Sequence, residues 1–110
     1  MEIHWIRSQG LASQQESAVL RLQALERLCD EIREVRITAS ETRHHRYGAK
    51  QVRIRCALRH GDVLASREGA NLGLALHEAI HDLEYALRRH HERYRRSRRT
   101  ERSLVRRGVD

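Results

Sequence analysis

Residues 71–99, NLGLALHEAIHDLEYALRRHHERYRRSRR, decide the fold of this chain because they carry one unbroken helical pattern. Apolar residues recur three and four positions apart, which places them on one side of an α-helix. They are Leu72, Ala75, Leu76, Ala79, Ile80, Leu83 and Leu87. Asn71 stands where an N-cap is expected. The apolar stripe stops at Leu87 while helix-forming residues continue, so the helix is predicted to project beyond the core and to end near Arg96 to Arg99.

The segments before this helix contain alternating apolar and polar residues, a pattern typical of half-buried strands. The predicted strands are Glu2 to Arg7, Arg33 to Ser40, Lys50 to Arg59 and Val63 to Arg67, with His60-Gly61-Asp62 as the turn of a hairpin. A first helix is predicted over about residues 14–30, where Ala18, Leu22, Leu25 and Cys29 repeat at helical spacing. Ser13 just before it and Glu16 in its first turn have the spacing of a capping box.

This order of elements predicts an α+β fold with two layers, β-α-β-β-β-α along the chain. The first crossover is long enough to make the first two strands parallel, and the hairpins make the others antiparallel. Helices with single apolar stripes and strands with one apolar face imply a four-stranded mixed sheet with both helices on one face. A chain of 110 residues is one domain by size. We expect a folded domain over residues 1–97 and a basic, mobile tail over 98–110.

Composition excludes several classes of protein. No segment approaches the roughly 18 consecutive apolar residues of a membrane span, and the N-terminal segment is charged and alternating, unlike a signal peptide. The two cysteines, Cys29 and Cys56, are too few for a disulfide framework and are expected to be buried, reduced thiols. The sequence therefore predicts a soluble, cytoplasmic protein.

The positive charge of the chain is concentrated at its C-terminal end. The net charge is +7, and residues 88–107 hold ten arginines against Glu92 and Glu101. So dense a group of guanidinium groups, with few balancing acids, favours binding to the phosphates of nucleic acid. The candidate contacts on the helix are Arg88, Arg89, Arg93, Arg95 and Arg96.

A second basic group lies in the segment that connects two predicted strands. It contains Arg43 and Arg46, and Tyr47 beside them could stack on a base or a sugar. These three residues are therefore candidate RNA contacts as well.

The string His77-Glu78-Ala79-Ile80-His81 is the signature of a zinc protease. On a helix, His77 and His81 share a face and could bind one zinc ion, with Glu78 as general base. A zinc protease also needs a third protein ligand and a substrate cleft. Glu101 has a plausible spacing, but it lies in the basic segment expected to be mobile, where the surrounding arginines disfavour another cation. We therefore expect no metal, cofactor or catalytic residue, and a zinc-dependent hydrolase remains the alternative from another class.

The segment Val63-Leu64-Ala65-Ser66-Arg67-Glu68-Gly69, followed by Asn71 and the apolar stripe, resembles the family of ribosome hibernation-promoting factor and protein Y. The resemblance covers about residues 1–97 and is strongest over 50–95. It implies a fold like that of double-stranded-RNA-binding domains. It also implies binding in the decoding channel of the small ribosomal subunit, where messenger and transfer RNA are excluded. The basic residues that carry over are Arg88, Arg89, Arg93 and Arg96.

The resemblance therefore predicts a bacterial, stress-related translation inhibitor of the short type, which acts by occupancy and not by chemistry. Its partners would be the small subunit and its rRNA, with no membrane and no small-molecule substrate, and ribosome pairing would need a separate dimerising factor. Asn71, Gly73, His77 and His81 depart from the residues that the family commonly has at these positions. A general RNA-binding regulator of the same fold, acting away from the ribosome, is the remaining alternative.

Overall fold

The computed structural model describes residues 1–41 and 50–109, with residues 41 and 94–109 described by backbone alone. Within these residues, four strands form one sheet in the order β1-β2-β3-β4. The strands are β1 (Glu2–Ile6), β2 (Ile32–Glu41), β3 (Lys50–Leu58) and β4 (Gly61–Gly69), and the helices are α1 (Gln15–Leu28) and α2 (Leu72–Val109). β1 is parallel to β2, while β2, β3 and β4 are successively antiparallel. The predicted α+β mixed sheet is confirmed.

The core lies between one face of the sheet and the two helices. The sheet contributes Ile32, Val35, Ile37, Ala39, Val52, Ile54, Cys56, Leu58 and Ala65, and α2 contributes Ala75, Leu76, Ala79, Ile80, Leu83 and Leu87. From α1 come Ala18, Leu22 and Leu25. Except for Ile32, which precedes the predicted start of the second strand, these positions lie in the predicted strands and helices, where each pattern puts its apolar side chains on one face.

The start of α1 differs from the prediction. A 3-10 helix over Gln9–Gln14 runs directly into α1, and the N-cap residue Gln14 makes no side-chain capping hydrogen bond. Ser13 therefore lies inside a helical segment, whereas an N-cap requires a non-helical backbone. The predicted capping box is wrong, and α1 ends at Leu28 instead of near residue 30.

The hairpin between β3 and β4 is tighter than predicted. Leu58 pairs with Gly61, so the loop consists of Arg59 and His60, and Gly61 and Asp62 already belong to β4. Gly61 has a φ of 146°, which a residue without a Cβ adopts at little cost. The predicted turn at His60-Gly61-Asp62 is therefore displaced by one residue.

α2 is longer than predicted, since it continues to Val109 and does not end near Arg96 to Arg99. Its 38 residues correspond to about 57 Å at 1.5 Å per residue, close to the 61 Å long axis of the molecule. No proline interrupts the segment, and its arginines are good helix formers. The division into a domain over 1–97 and a tail over 98–110 stays a prediction. Among the described residues, no helix has the length and apolar character to cross a membrane.

Candidate nucleic-acid interface

The orientation of α2 is fixed at its first turn and along its buried side. Asn71 Oδ1 accepts a hydrogen bond from the Leu74 amide at 3.1 Å, and the Ala75 amide donates to the Asn71 carbonyl at 3.0 Å. The predicted cap is therefore confirmed. Because the apolar stripe through Leu83 and Leu87 packs on the sheet, the opposite side of α2 faces solvent.

The three predicted RNA-binding arginines whose side chains are described are exposed, and they differ in their partners. Arg88 Nη2 donates to Glu84 Oε1 at 2.7 Å, an i,i+4 ion pair that partly neutralises its charge. The Arg89 guanidinium lies over the Tyr85 ring, with Cζ 5.8 Å from the ring centroid. Arg89 and Arg93 have no carboxylate partner among the described side chains. The least compensated charges on this part of α2 are therefore those of Arg89 and Arg93.

The remaining predicted contacts are not tested by the structure. Arg95 and Arg96 lie in α2, in the part described by backbone alone. Arg43, Arg46 and Tyr47 lie outside the described residues. The assignment of these five residues to RNA binding stays a prediction.

The histidines of the HEAIH string have partners other than a metal. Arg21 Nη1 lies 2.9 Å from His77 Nδ1 and also donates to the His77 carbonyl at 3.3 Å. Since a guanidinium has no acceptor, Nδ1 of the His77 ring accepts this hydrogen bond. A fixed cation at one ring nitrogen disfavours a second cation on the same imidazole. No group of three potential ligands among the described side chains could hold a metal ion.

Arg67 on β4 holds two acids of α2 on one side of the helix. Its guanidinium donates to both Asp82 oxygens, at 2.5 and 3.1 Å, and lies 3.7 Å from Glu78 Oε2. The hydrogen bond from Arg67 lowers the pKa of the Asp82 carboxyl and raises the pKa of Arg67 itself. Glu78, the general base of the zinc alternative, is therefore engaged in a link between β4 and α2.

The face of the sheet without helices carries arginines that already have acidic neighbours. Arg36 Nε donates to Glu34 Oε1 at 2.7 Å, and Arg55 Nη2 donates to Asp62 Oδ2 at 2.6 Å. The hydrogen bond from Arg36 lowers the pKa of the Glu34 carboxyl. These pairs reduce the net charge of the sheet face, on which Arg53 is exposed and takes part in neither pair, whereas α2 presents Arg89 and Arg93.

Two residues of this surface were missed in the sequence analysis, Arg21 and Tyr85. Arg21 reaches His77 across 56 positions of sequence, and no local pattern predicts such a contact. Tyr85 is 62% exposed although its ring is large and mostly apolar. Its spacing of four residues from Arg89 was the available signal, because side chains at i and i+4 are neighbours on a helix.

Comparison with known proteins agrees with this architecture. The family model described as Sigma 54 modulation protein / S30EA ribosomal protein matches residues 9–95. The crystal structure of the Thermus thermophilus Protein Y N-terminal domain is similar with a TM-score of 0.60 and 19% sequence identity. The match covers 80% of this chain and 93% of that one, and at this identity it establishes the fold alone. No curated protein matches the chain significantly.

Proposed function

The chain belongs to the Sigma 54 modulation protein / S30EA ribosomal protein family, and from that premise we propose that it is a ribosome hibernation factor that binds the rRNA of the small subunit. Membership of this family makes it a ribosome-associated protein of the hibernation type. The finer proposal is that it occupies the decoding channel and excludes messenger and transfer RNA. It would act in the cytoplasm of a bacterium, as part of a stress response.

One observation carries the assignment of the site: α2 presents exposed arginines at the point where its apolar stripe ends. Leu87 is the last buried residue of the stripe, and Arg88, Arg89 and Arg93 follow it on the exposed surface. The buried part holds α2 on the sheet, so the arginines are displayed on a rigid support. Each guanidinium that contacts a phosphate releases counterions, which supplies affinity without any sequence preference.

The mechanism that we propose needs no chemical step. The arginines of α2 neutralise rRNA phosphates, and the sheet with its two helices fills the space that the competing RNAs would occupy. Inhibition should then follow occupancy, and it should weaken steeply as salt rises. Arg95, Arg96, Arg43, Arg46 and Tyr47 are proposed as further contacts with the same rRNA.

The test is co-sedimentation with purified small subunits over a series of salt concentrations. Replacement of Arg88, Arg89 and Arg93 by Glu is expected to abolish binding while the circular dichroism of the variant stays that of the wild type. Binding retained by this variant would place the site elsewhere on the molecule. Binding by the wild type that does not change between low and high salt would contradict a mechanism based on phosphate contacts.

A second comparison separates a ribosome factor from a general RNA-binding regulator. Small subunits and a generic RNA duplex are titrated with the same labelled protein at the same salt concentration. A ribosome factor should prefer the small subunit by orders of magnitude, whereas equal affinities would favour the regulator. A sucrose gradient with and without a dimerising factor then tests whether ribosome pairing requires that separate partner.

A further inference from the structure

The exposed side of α2 contains one row of residues at four-residue spacing in which every side chain ends in a planar group. The row, called here the planar row, consists of His77, His81, Tyr85, Arg89 and Arg93. All five are exposed. Residues four apart form a continuous ridge on a helix surface, so imidazole, phenol and guanidinium groups follow one another along this ridge.

The acids of the same stretch are mostly paired with arginines outside the planar row. Between residues 77 and 93 there are four acids: Glu78, Asp82, Glu84 and Glu92. The first two lie against Arg67 of β4, and Glu84 lies against Arg88. Only Glu92 has none of these partners. The row therefore carries flat, partly apolar surface and positive charge, with little negative charge to repel a polyanion.

Tyr85 is the centre of the row. Its ring is 62% exposed, so the fold does not use it as a core residue. The Arg89 guanidinium lies on one side at 5.8 Å from the ring centroid, in cation-π contact, and His81 lies one turn before. A base inserted between two planes holds them about 7 Å apart, twice the 3.4 Å stacking distance. A base that enters this contact would have the Tyr85 ring and the Arg89 guanidinium as its two neighbours.

The other end of the row is held in place by α1. Arg21 donates to His77 Nδ1 at 2.9 Å and to the His77 carbonyl, so the orientation of this imidazole is supported from a neighbouring helix. From His77 to Arg93 the row covers sixteen residue steps, about 24 Å of helix at 1.5 Å per residue. That length accommodates several nucleotides of a single strand.

We propose that the planar row is a stacking site for unpaired bases of single-stranded RNA, with Tyr85 at its centre. Unpaired bases stack on tyrosine, histidine and arginine planes, whereas a base-paired helix keeps its base faces covered. Arg93 would contact a phosphate of the same strand, and so would the edge of the Arg89 guanidinium, whose face stacks on the base. This inference rests on the proposed function and adds to it the ligand class: an exposed, unpaired segment of RNA, and not the backbone of a duplex alone.

The experiment compares two probes of equal charge by fluorescence anisotropy. One is a labelled twelve-nucleotide oligouridine, and the other is a ribose-phosphate oligomer of the same length without bases. The wild type is expected to bind oligouridine more tightly. Tyr85→Ala should weaken oligouridine binding by about 5- to 100-fold and leave the abasic oligomer unaffected, since one stacked base contributes affinity of that order. Tyr85→Phe should retain the wild-type affinity.

Two further variants separate stacking from charge and from general damage. Arg89→Lys keeps the charge but loses the plane, so it should also weaken oligouridine more than the abasic oligomer. Leu20→Ala removes a side chain of similar exposure, 64%, from α1 and should change neither affinity. Thermal melting of each variant should match the wild type, because the replaced side chains lie outside the core.

The outcomes distinguish this inference from the proposed function. If the wild type binds both probes equally, or if Tyr85→Ala weakens both to the same extent, the stacking site is refuted while electrostatic binding to RNA stands. If the wild type binds neither probe and no small subunits at low salt, the proposed function itself fails.

Discussion

Replacing Arg89 and Arg93 together by Gln should reduce the salt dependence of binding to the small subunit by a calculable amount. Both guanidinium groups are exposed and lack carboxylate partners among the described side chains. Each arginine that neutralises one phosphate contributes about 0.7 to 0.9 to the slope of log K against log salt. The double variant should therefore show a slope that is smaller by about 1.4 to 1.8.

That difference in slope is large enough to measure. The salt concentration rises fourfold between 50 and 200 mM. A slope change of this size means that, over this range, the affinity of the variant falls by a factor roughly ten times smaller than the affinity of the wild type does. The assay is filter binding of labelled protein to purified small subunits at five or six salt concentrations. Circular dichroism at each concentration shows that α2 is intact.

A matched control removes the same amount of charge from elsewhere. Arg27 and Arg59 are exposed, at the end of α1 and in the β3–β4 loop, and Arg27→Gln/Arg59→Gln also lowers the net charge by two. This control should keep the wild-type slope. If the two double variants change the slope equally, the long-range charge of the protein determines binding and the assignment of Arg89 and Arg93 as contacts is wrong.

Three further predictions concern the fold. Leu83 is fully buried where α2 meets the sheet, and its replacement by Ala should lower the free energy of unfolding, measured in urea, by about 2–5 kcal/mol. A smaller decrease would mean that α2 packs loosely on the sheet. Burial raises the pKa of the Cys56 thiol to about 12 and also raises the pKa of the Cys29 thiol. Neither thiol should therefore react with a thiol reagent at pH 8 until the protein unfolds, and rapid labelling of the native protein would contradict their burial. The hydrogen bond from Arg67 lowers the pKa of the Asp82 carboxyl in the folded protein. The ionised carboxylate therefore stabilises the fold at pH values above its pKa in the unfolded chain, about 3.9, and this stabilisation is lost as the pH falls through the lower pKa of the folded protein. Asp82→Asn should therefore be less stable than the wild type at pH 7 and approach it below about pH 4, and a difference independent of pH would exclude this carboxylate as the cause.

The sequence determined the elements of this fold and the composition of its core. The stripe from Ala75 to Leu87 and the alternation through β2 and β3 predicted which side chains are buried. Such periodicity is a local property, because the geometry of a helix or a strand assigns each residue to a face before any partner is known. For the same reason, the exposure of Arg88, Arg89 and Arg93 could be predicted without the structure.

The predictions from local sequence patterns were wrong at the ends of helices and strands, where tertiary packing also determines the backbone conformation. Ser13 had the spacing of a capping residue, but the preceding 3-10 helix, in which Leu11 is fully buried, continues into α1. The β3–β4 loop is one residue shorter than the turn signal suggested, because Gly61 pairs with Leu58. The charge density after Leu87 did not predict that α2 continues to Val109.

Only the tertiary structure decided which charges remain uncompensated. Arg67 meets Asp82 because β4 packs beside α2, and Arg21 meets His77 because α1 lies next to it. These contacts join residues 15 and 56 positions apart, much farther than the two to four positions over which strand and helix periodicity relate side chains. They engage His77 and Glu78 of the HEAIH string with arginines of α1 and β4. An ion pair depends on the distance between two side-chain ends, and that distance exists only once the elements have packed.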